Sequence, residues 1–312
     1  MRSRAPRRFH SILTPAHLQA LDDYIAAPKK LVLEDTFSVE RLSDLFVTLP
    51  TRDGLRRPYE PPQLSAPIGP GWHLAFFHAR TPESMLSEDG TDGAVEFGPP
   101  VPFTRRMWAS GRISWDLKNP LLAGERATST STFGSVEKKA FDTASPMVFV
   151  TQKIDITGGS GTSQPSIVEE RCHVYAADSV SRSNTPRVVN NIPPSADFTF
   201  KFTPTLTTLF RFSALMFNAH LIHLDKDWTQ SRRGYPERLV HGPLAALMLL
   251  ETVKFHKPMS QITHFEYRAR NPMIVNQPLT FNGVWGSDNS ATLWCVNEEG
   301  VVGMTGSVRL QS

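Results

Sequence analysis

Cysteine is scarce in this chain: 312 residues include only Cys172 and Cys295, and no CxxC pair. That excludes a disulfide framework and a cysteine-rich zinc site, and leaves two reduced, mostly buried thiols. Charge of one sign is also scarce. The formal net charge is +3, and no long Lys/Arg block marks a nucleic-acid surface. No apolar run reaches the ~20 residues that a bilayer-spanning helix needs. The first twenty residues contain no acid, whereas Arg2, Arg4, Arg7 and Arg8 are joined by Ser3, Ser11 and Thr14. An arginine-rich, acid-poor start without a long apolar stretch is not a secretory signal. It has the composition of a mitochondrial transit peptide, with a basic tail on a cytoplasmic protein as the alternative. Residues 1–30 are therefore expected to form a basic extension, and the expected location is mitochondrial, or else cytoplasmic. Nor does the chain end on a peroxisomal tripeptide.

What is present is ample apolar material, 40% of the chain, and 25 prolines that punctuate loops such as Pro58 to Pro70. Length allows one or two domains. The chain is organised around Phe210 to Lys257, which holds Asn218, His220, His223, His241 and Gly242. From Pro243 to Lys257 nothing breaks a helix, and Leu244, Leu247, Met248, Leu250 and Val253 leave little of its surface polar. Such a helix is buried. Gly242 suits the N-cap, Pro243 the first turn, and Pro258 ends the element. The N-terminus of a buried helix attracts developing negative charge. Imidazoles in front of such an end have the look of an active site.

Asn218-Ala219-His220-Leu221-Ile222-His223 followed by His241-Gly242 resembles the hydratase–dehydratase branch of the hotdog fold, the MaoC-like enoyl-thioester hydratases. The family motif reads roughly Asp-x-Asn-Pro-x-His, then His-Gly at the central helix. His223 and Gly242 match it, while Asn218 replaces the aspartate and His220 the asparagine. These departures, with Pro99 to Gly111, resemble the fungal mitochondrial hydroxyacyl-thioester dehydratases and mesaconyl-C4-CoA hydratases. The resemblance runs from about Leu31 to the C-terminus. It implies an α+β double hotdog: two fused curved antiparallel sheets, each packed on a helix, with Pro243 to Lys257 fully buried.

An internal repeat agrees with this. Ile113 to Ala123 matches Phe265 to Val275 without gaps, at a constant offset of 152 residues: an alternating strand, an Asn-Pro turn, then a Thr-rich run. In each half long strands follow the turn. Residues 31–190 are expected to be a degenerate first half and 191–312 the catalytic half, with polar Asp178 to Ala196 between them.

The implied reaction is reversible addition of water to an enoyl thioester, a hydro-lyase chemistry that needs no cofactor. Histidine suits proton exchange because its pKa of ~6.5 lies near working pH. The resemblance makes His223 the base, because asparagine cannot be one; Asn218 would hold the water, His220 would assist, and the Gly242 N–H would meet the thioester oxygen. Arg105, Arg106, Trp108, Arg211 and His241 are candidate substrate-binding residues, with ordinary ion pairing (Arg105 or Arg106 with Glu96 or Asp116) as the alternative. His241 could instead simply pack at the helix entry. His220, His223 and Asp225 could form a metal site only with a fourth ligand; none is expected. The implied partner is an acyl-CoA or acyl-carrier-protein thioester, with no nucleic acid and no membrane, bound by a monomer of fused halves or a homodimer. The rival readings are a hotdog thioesterase, using Asp225, Asp227, Glu237 or Glu251, and a silent acyl-thioester-binding scaffold.

Overall fold

A computed structural model describes residues 13–92, 97–159, 164–177 and 185–311. The first half holds β1 (Lys30–Thr36), β2 (Arg105–Trp115), β3 (Arg126–Lys139), β4 (Met147–Gly158) and β5 (Ile167–Ala176). The second holds β6 (Phe198–Phe202), β7 (Ile262–Ala269), β8 (Leu279–Trp285), β9 (Ser290–Asn297) and β10 (Val302–Leu310). Their sheet order is β1-β3-β4-β5-β2-β7-β10-β9-β8-β6, so one five-strand pattern occurs twice and meets itself at β2 and β7. Ile113 faces Phe265 across that central antiparallel pair. These are the residues that the repeat equates, so the pseudo-twofold axis of the duplication passes between them.

The strands form because β-branched and aromatic residues alternate in and out, as in β4, where Val148, Val150, Ile154 and Ile156 are buried. The halves differ in what covers the sheet. In the second half, α6 (Gly242–His256) lies under the sheet with every residue from Pro243 to Val253 buried. In the first half, the ten-residue α2 (Val39–Thr48), capped by Ser38, buries Leu42, Leu45 and Phe46. Against α6 the first half sets a short 3-10 turn, Trp72–Ala75, with all four residues buried. Gly71 (φ 83°) lies so close to Leu250 and Leu247 that a side chain there would meet them at 2.7 and 3.0 Å. α2 also packs on α3 (Leu206–Leu215), its counterpart after β6.

Two sequence expectations are corrected. Residues 1–30 are not merely an extension: α1 (Pro15–Ala26) is capped by Thr14, and its Leu21 is fully buried. Leu21 and Tyr24 pack with Phe97, Phe103, Val148 and Val150 in a second small core, and the Tyr24 hydroxyl donates to the Phe97 carbonyl. Only residues 1–12 of that stretch, with the basic transit-like segment, lie outside the described residues. The N-cap of α6 is His241, one residue earlier than expected. Part of the proposed link between the halves, 178–184, lies outside the described residues, as does Glu96.

Candidate active site

α3 ends at Leu215, and Phe217 (φ 47°) turns the chain off it into the histidine segment. The Asn218 N–H is held by the Ser213 carbonyl at 2.8 Å, and its side-chain oxygen accepts the His220 N–H at 3.0 Å. His220 then opens the single turn α4 (Leu221–Leu224), on which His223 sits, and Asp225 caps α5 (Lys226–Arg233). This local bonding holds Asn218, His220 and His223 close together without any long element.

His223 Nδ1 lies 2.8 Å from the Leu239 carbonyl oxygen. A carbonyl only accepts, so Nδ1 carries the proton and Nε2 the lone pair. Burial pushes the His223 pKa down to about 4, against the pull of the Leu239 carbonyl, and the Arg106 charge lowers it further. His223 is therefore a neutral imidazole with a fixed tautomer at neutral pH, and part of its surface remains accessible.

His241 is 1% exposed and stacks face to face on His223, with centroids 3.7 Å apart and planes 20° from parallel. Its Nε2 meets the Ser213 hydroxyl at 2.9 Å. Burial and the neighbouring imidazoles keep it uncharged. The expectation that His241 touches substrate is thus corrected: the ring is enclosed and supports His223 from behind. His220 stands edge-on to His223, centroids 5.6 Å apart, and burial holds its pKa well below the usual value.

Gly242, the first residue of α6, follows directly. The amides of this first turn have no acceptor within the helix. Trp108 of β2 lies over it: a Cβ at Gly242 would meet the indole at 3.0 Å. Trp108 also stacks on Tyr267, stands edge-on to His173 and lies under the Arg171 guanidinium. Arg171 pairs with the fully buried Glu169 through 2.6 and 2.9 Å bonds, and His73 Nε2 lies 3.2 Å from the same carboxylate. Burial alone would raise the Glu169 pKa, but Arg171 and His73 hold it at about 2. None of Glu169, His73 and His173 was singled out in the sequence, where no motif surrounds them.

Arg106 is exposed on the same strand face as Trp108, and its charge depresses His173, His220 and His223. Strand alternation puts Arg105 on the opposite face, away from Trp108. Arg211 is likewise not brought to the histidines. It bonds the Val47 carbonyl at 3.4 Å and lines a separate cavity of about 720 Å³ with Arg56 and Lys201. Among the described residues no three His, Cys, Asp or Glu side chains are grouped as metal ligands. Asp225, the third member of the conceivable metal set, is occupied as the N-cap of α5.

The sequence model of the family described as hydroxyacyl-thioester dehydratase type 2 matches residues 71–275. The chain is 34% identical over 221 residues to the mesaconyl-C(4)-CoA hydratase of Chloroflexus aurantiacus, covering 70% of this chain and 76% of that protein. It is 30% identical over 231 residues to the mitochondrial hydroxyacyl-thioester dehydratase type 2 of Schizosaccharomyces pombe, covering 68% and 76%. Among solved structures, a MaoC-like dehydratase from Phytophthora capsici superposes with a TM-score of 0.66 at 14% identity, over 93% of this chain and 99% of that one. A double-hotdog protein of Mycobacterium tuberculosis gives 0.52 at 12% identity, over 92% and 98%. These two share the fold, as the paired five-strand pattern leads one to expect. The span of the family match takes in the Trp108 strand, the histidine segment and α6, and the chain belongs to the hydroxyacyl-thioester dehydratase type 2 family.

Proposed function

We propose that the chain is a hydro-lyase that adds water to, or removes it from, a 3-hydroxyacyl or mesaconyl-type thioester carried on CoA or acyl carrier protein. The observation that carries this reading is the fixed tautomer of His223 beside the amides that open α6 at Gly242. In hydration, water held by the Asn218 side chain loses a proton to His223 Nε2 as its oxygen bonds to C3. The C2=C3 electron pair moves toward C1, and charge gathers on the thioester oxygen, where the Gly242 N–H donates. The proton then passes from the imidazolium to C2. One water is consumed and His223 returns neutral; dehydration is the same path reversed. An imidazolium of low pKa is a strong acid, which favours this last step.

Three of the four carboxylates that a thioesterase could use are committed elsewhere, and Asp227 is exposed on α5. Glu251 accepts from Thr51, Arg52 and Trp72, Glu237 from Arg238, and Asp225 caps α5. Exposed Arg106 supports an anionic group on the substrate or its carrier arm. A monomer suffices in this reading, because one chain supplies both halves of the sheet. A mitochondrial setting is part of the proposal, motivated by the basic residues at the start of the sequence and by the fission-yeast relative. The test is turnover of purified protein on a panel of 3-hydroxyacyl-CoA, 3-hydroxyacyl carrier protein and mesaconyl-C4-CoA. Water addition or loss on at least one member is expected, and thioester cleavage alone would sink the proposal.

A further inference from the structure

The histidine segment comes from the second half, yet a carboxylate from the first half lies against it. Asp89 Oδ2 is 3.6 Å from His220 Nε2, and both side chains are largely buried, at 12% and 14% exposure. His220 Nε2 is otherwise enclosed without a hydrogen-bond partner. The segment's own nearest acid, Asp225, is used up as the N-cap of α5.

The loop that brings Asp89 is built to hold it there. Its backbone carbonyl accepts the Leu221 N–H at 2.9 Å, so it is tied to the residue next to His220. Its Oδ1 accepts from the Thr91 N–H at 3.0 Å and the Thr91 hydroxyl at 2.5 Å, which leaves Oδ2 turned toward His220. Gly90 (φ 76°) lies directly against the Ala219 carbonyl, where any side chain would collide. Only a glycine gives both that backbone conformation and that approach. Arg233 lies 3.4 Å from the same Oδ2 and so places a cation beside the carboxylate.

From this geometry we propose that Asp89 is a positioning residue of the active site, acting through His220. With the carboxylate facing Nε2, the imidazole carries its proton there and keeps Nδ1 as an acceptor. The ring is also locked in rotation, edge-on to His223. An acceptor at a fixed place can take the second hydrogen of the attacking water while His223 takes the first. The water's lone pair then has one direction left, toward C3. No covalent step is added to the mechanism; Asp89 fixes where the water sits. The site is thus incomplete in the second half alone.

This inference rests on the hydro-lyase reading, and the experiment separates the two. Asp89→Asn keeps an oxygen for Thr91 but loses the charge. We expect it to lower kcat about tenfold or more, with KM within twofold. The losses from Asp89→Asn and His220→Ala should not add: the double variant should be no slower than His220→Ala, because both remove one unit. Thr81→Val loosens the same loop at Asp92 without touching Asp89, and should keep wild-type kcat. A wild-type kcat in Asp89→Asn, additive losses, or equal damage from Thr81→Val would each overturn the assignment. If wild-type protein turns over no acyl thioester, the hydro-lyase reading fails instead. The Asp89 assignment is then decided by nitrogen NMR of the His220 ring: Nε2–H in the wild type and a changed tautomer balance in Asp89→Asn support it, and identical spectra sink it.

Discussion

The two halves share a strand order and almost nothing else. After β6 the second half has α3, the histidine segment and α6; after β1 the first half has α2, loops and two 3-10 turns. A symmetric pair of hotdogs would offer two sites. Here Trp108 of the first half lies over the start of α6, Asp89 lies against the histidine segment, and the Arg106 charge acts on His220 and His223. The difference shows how a duplicated fold divides labour: one half carries the proposed general base and the helix end, while the other forms the wall opposite them. Its polar layer of Glu169, Arg171 and His73 holds Trp108 over Gly242.

The sharpest way to break that comparison is to remove the proposed base. His223→Ala should lower kcat by ~10² to 10⁴, the usual contribution of a positioned general base, with KM nearly unchanged. Steady-state kinetics on the best substrate of the panel checks it. A loss confined to KM would move catalysis away from the second half.

The wall should matter to folding more than to chemistry. Glu169 is wholly enclosed and bonded by Arg171 and His73. Glu169→Ala would take the enclosed carboxylate away from the Arg171 guanidinium and from His73. Breaking such a buried pair costs ~3–5 kcal/mol, so a large drop in denaturation midpoint is expected on urea unfolding. An unchanged midpoint would mean that the layer does not stiffen the wall.

Both halves bury neutral histidines, which predicts a shared acid sensitivity. Burial holds His78 and His223 at about 4, and lowers His173, His220 and His241 as well. The folded pKa values lie below the unfolded value of ~6.5, so below that pH the unfolded chain binds protons that the folded one refuses. Stability should be full above pH ~6.5 and fall progressively toward pH 4. A flat Tm between pH 7 and 5 would contradict this burial.

Much of the fold was legible because the repeat is a local pattern, and the pair it equates at its start, Ile113 and Phe265, is a pair that meets across β2 and β7. The buried helix was equally plain, as an apolar run too short for a bilayer. α1 escaped notice although Thr14, Pro15, Leu18 and Leu21 carry a capping signal and helical spacing. Basic residues just before it drew the whole stretch into an extension. In the candidate site, the histidine segment was visible because its members adjoin in sequence. Asp89 was not, because nothing within an acidic, glycine-containing loop says that it folds back onto residues 219–221. His241 and Arg211 show the converse failure. Sequence proximity put both near substrate, whereas one is enclosed behind His223 and the other faces a different cavity.

The smallest effect tests the longest reach between the halves. Arg106 stands on β2 in the first half, and its positive charge makes an imidazolium at His223 less favourable. It is the minor cause there, since burial is the larger. Arg106→Met keeps most of the stem and removes the charge, so the His223 pKa should rise from about 4 by a fraction of a unit. The active form of the base is neutral, so kcat/KM falls as pH drops through that pKa. The acid limb of the profile should therefore begin at a higher pH in Arg106→Met, with the plateau above pH 7 reduced only by whatever anion contact Arg106 makes. The two contributions separate cleanly. A lost anion contact raises KM at every pH and leaves the limb in place, whereas a lost field moves the limb. If the limb shifts while KM holds, Arg106 serves the histidines rather than the substrate, and the first half tunes the base it does not carry.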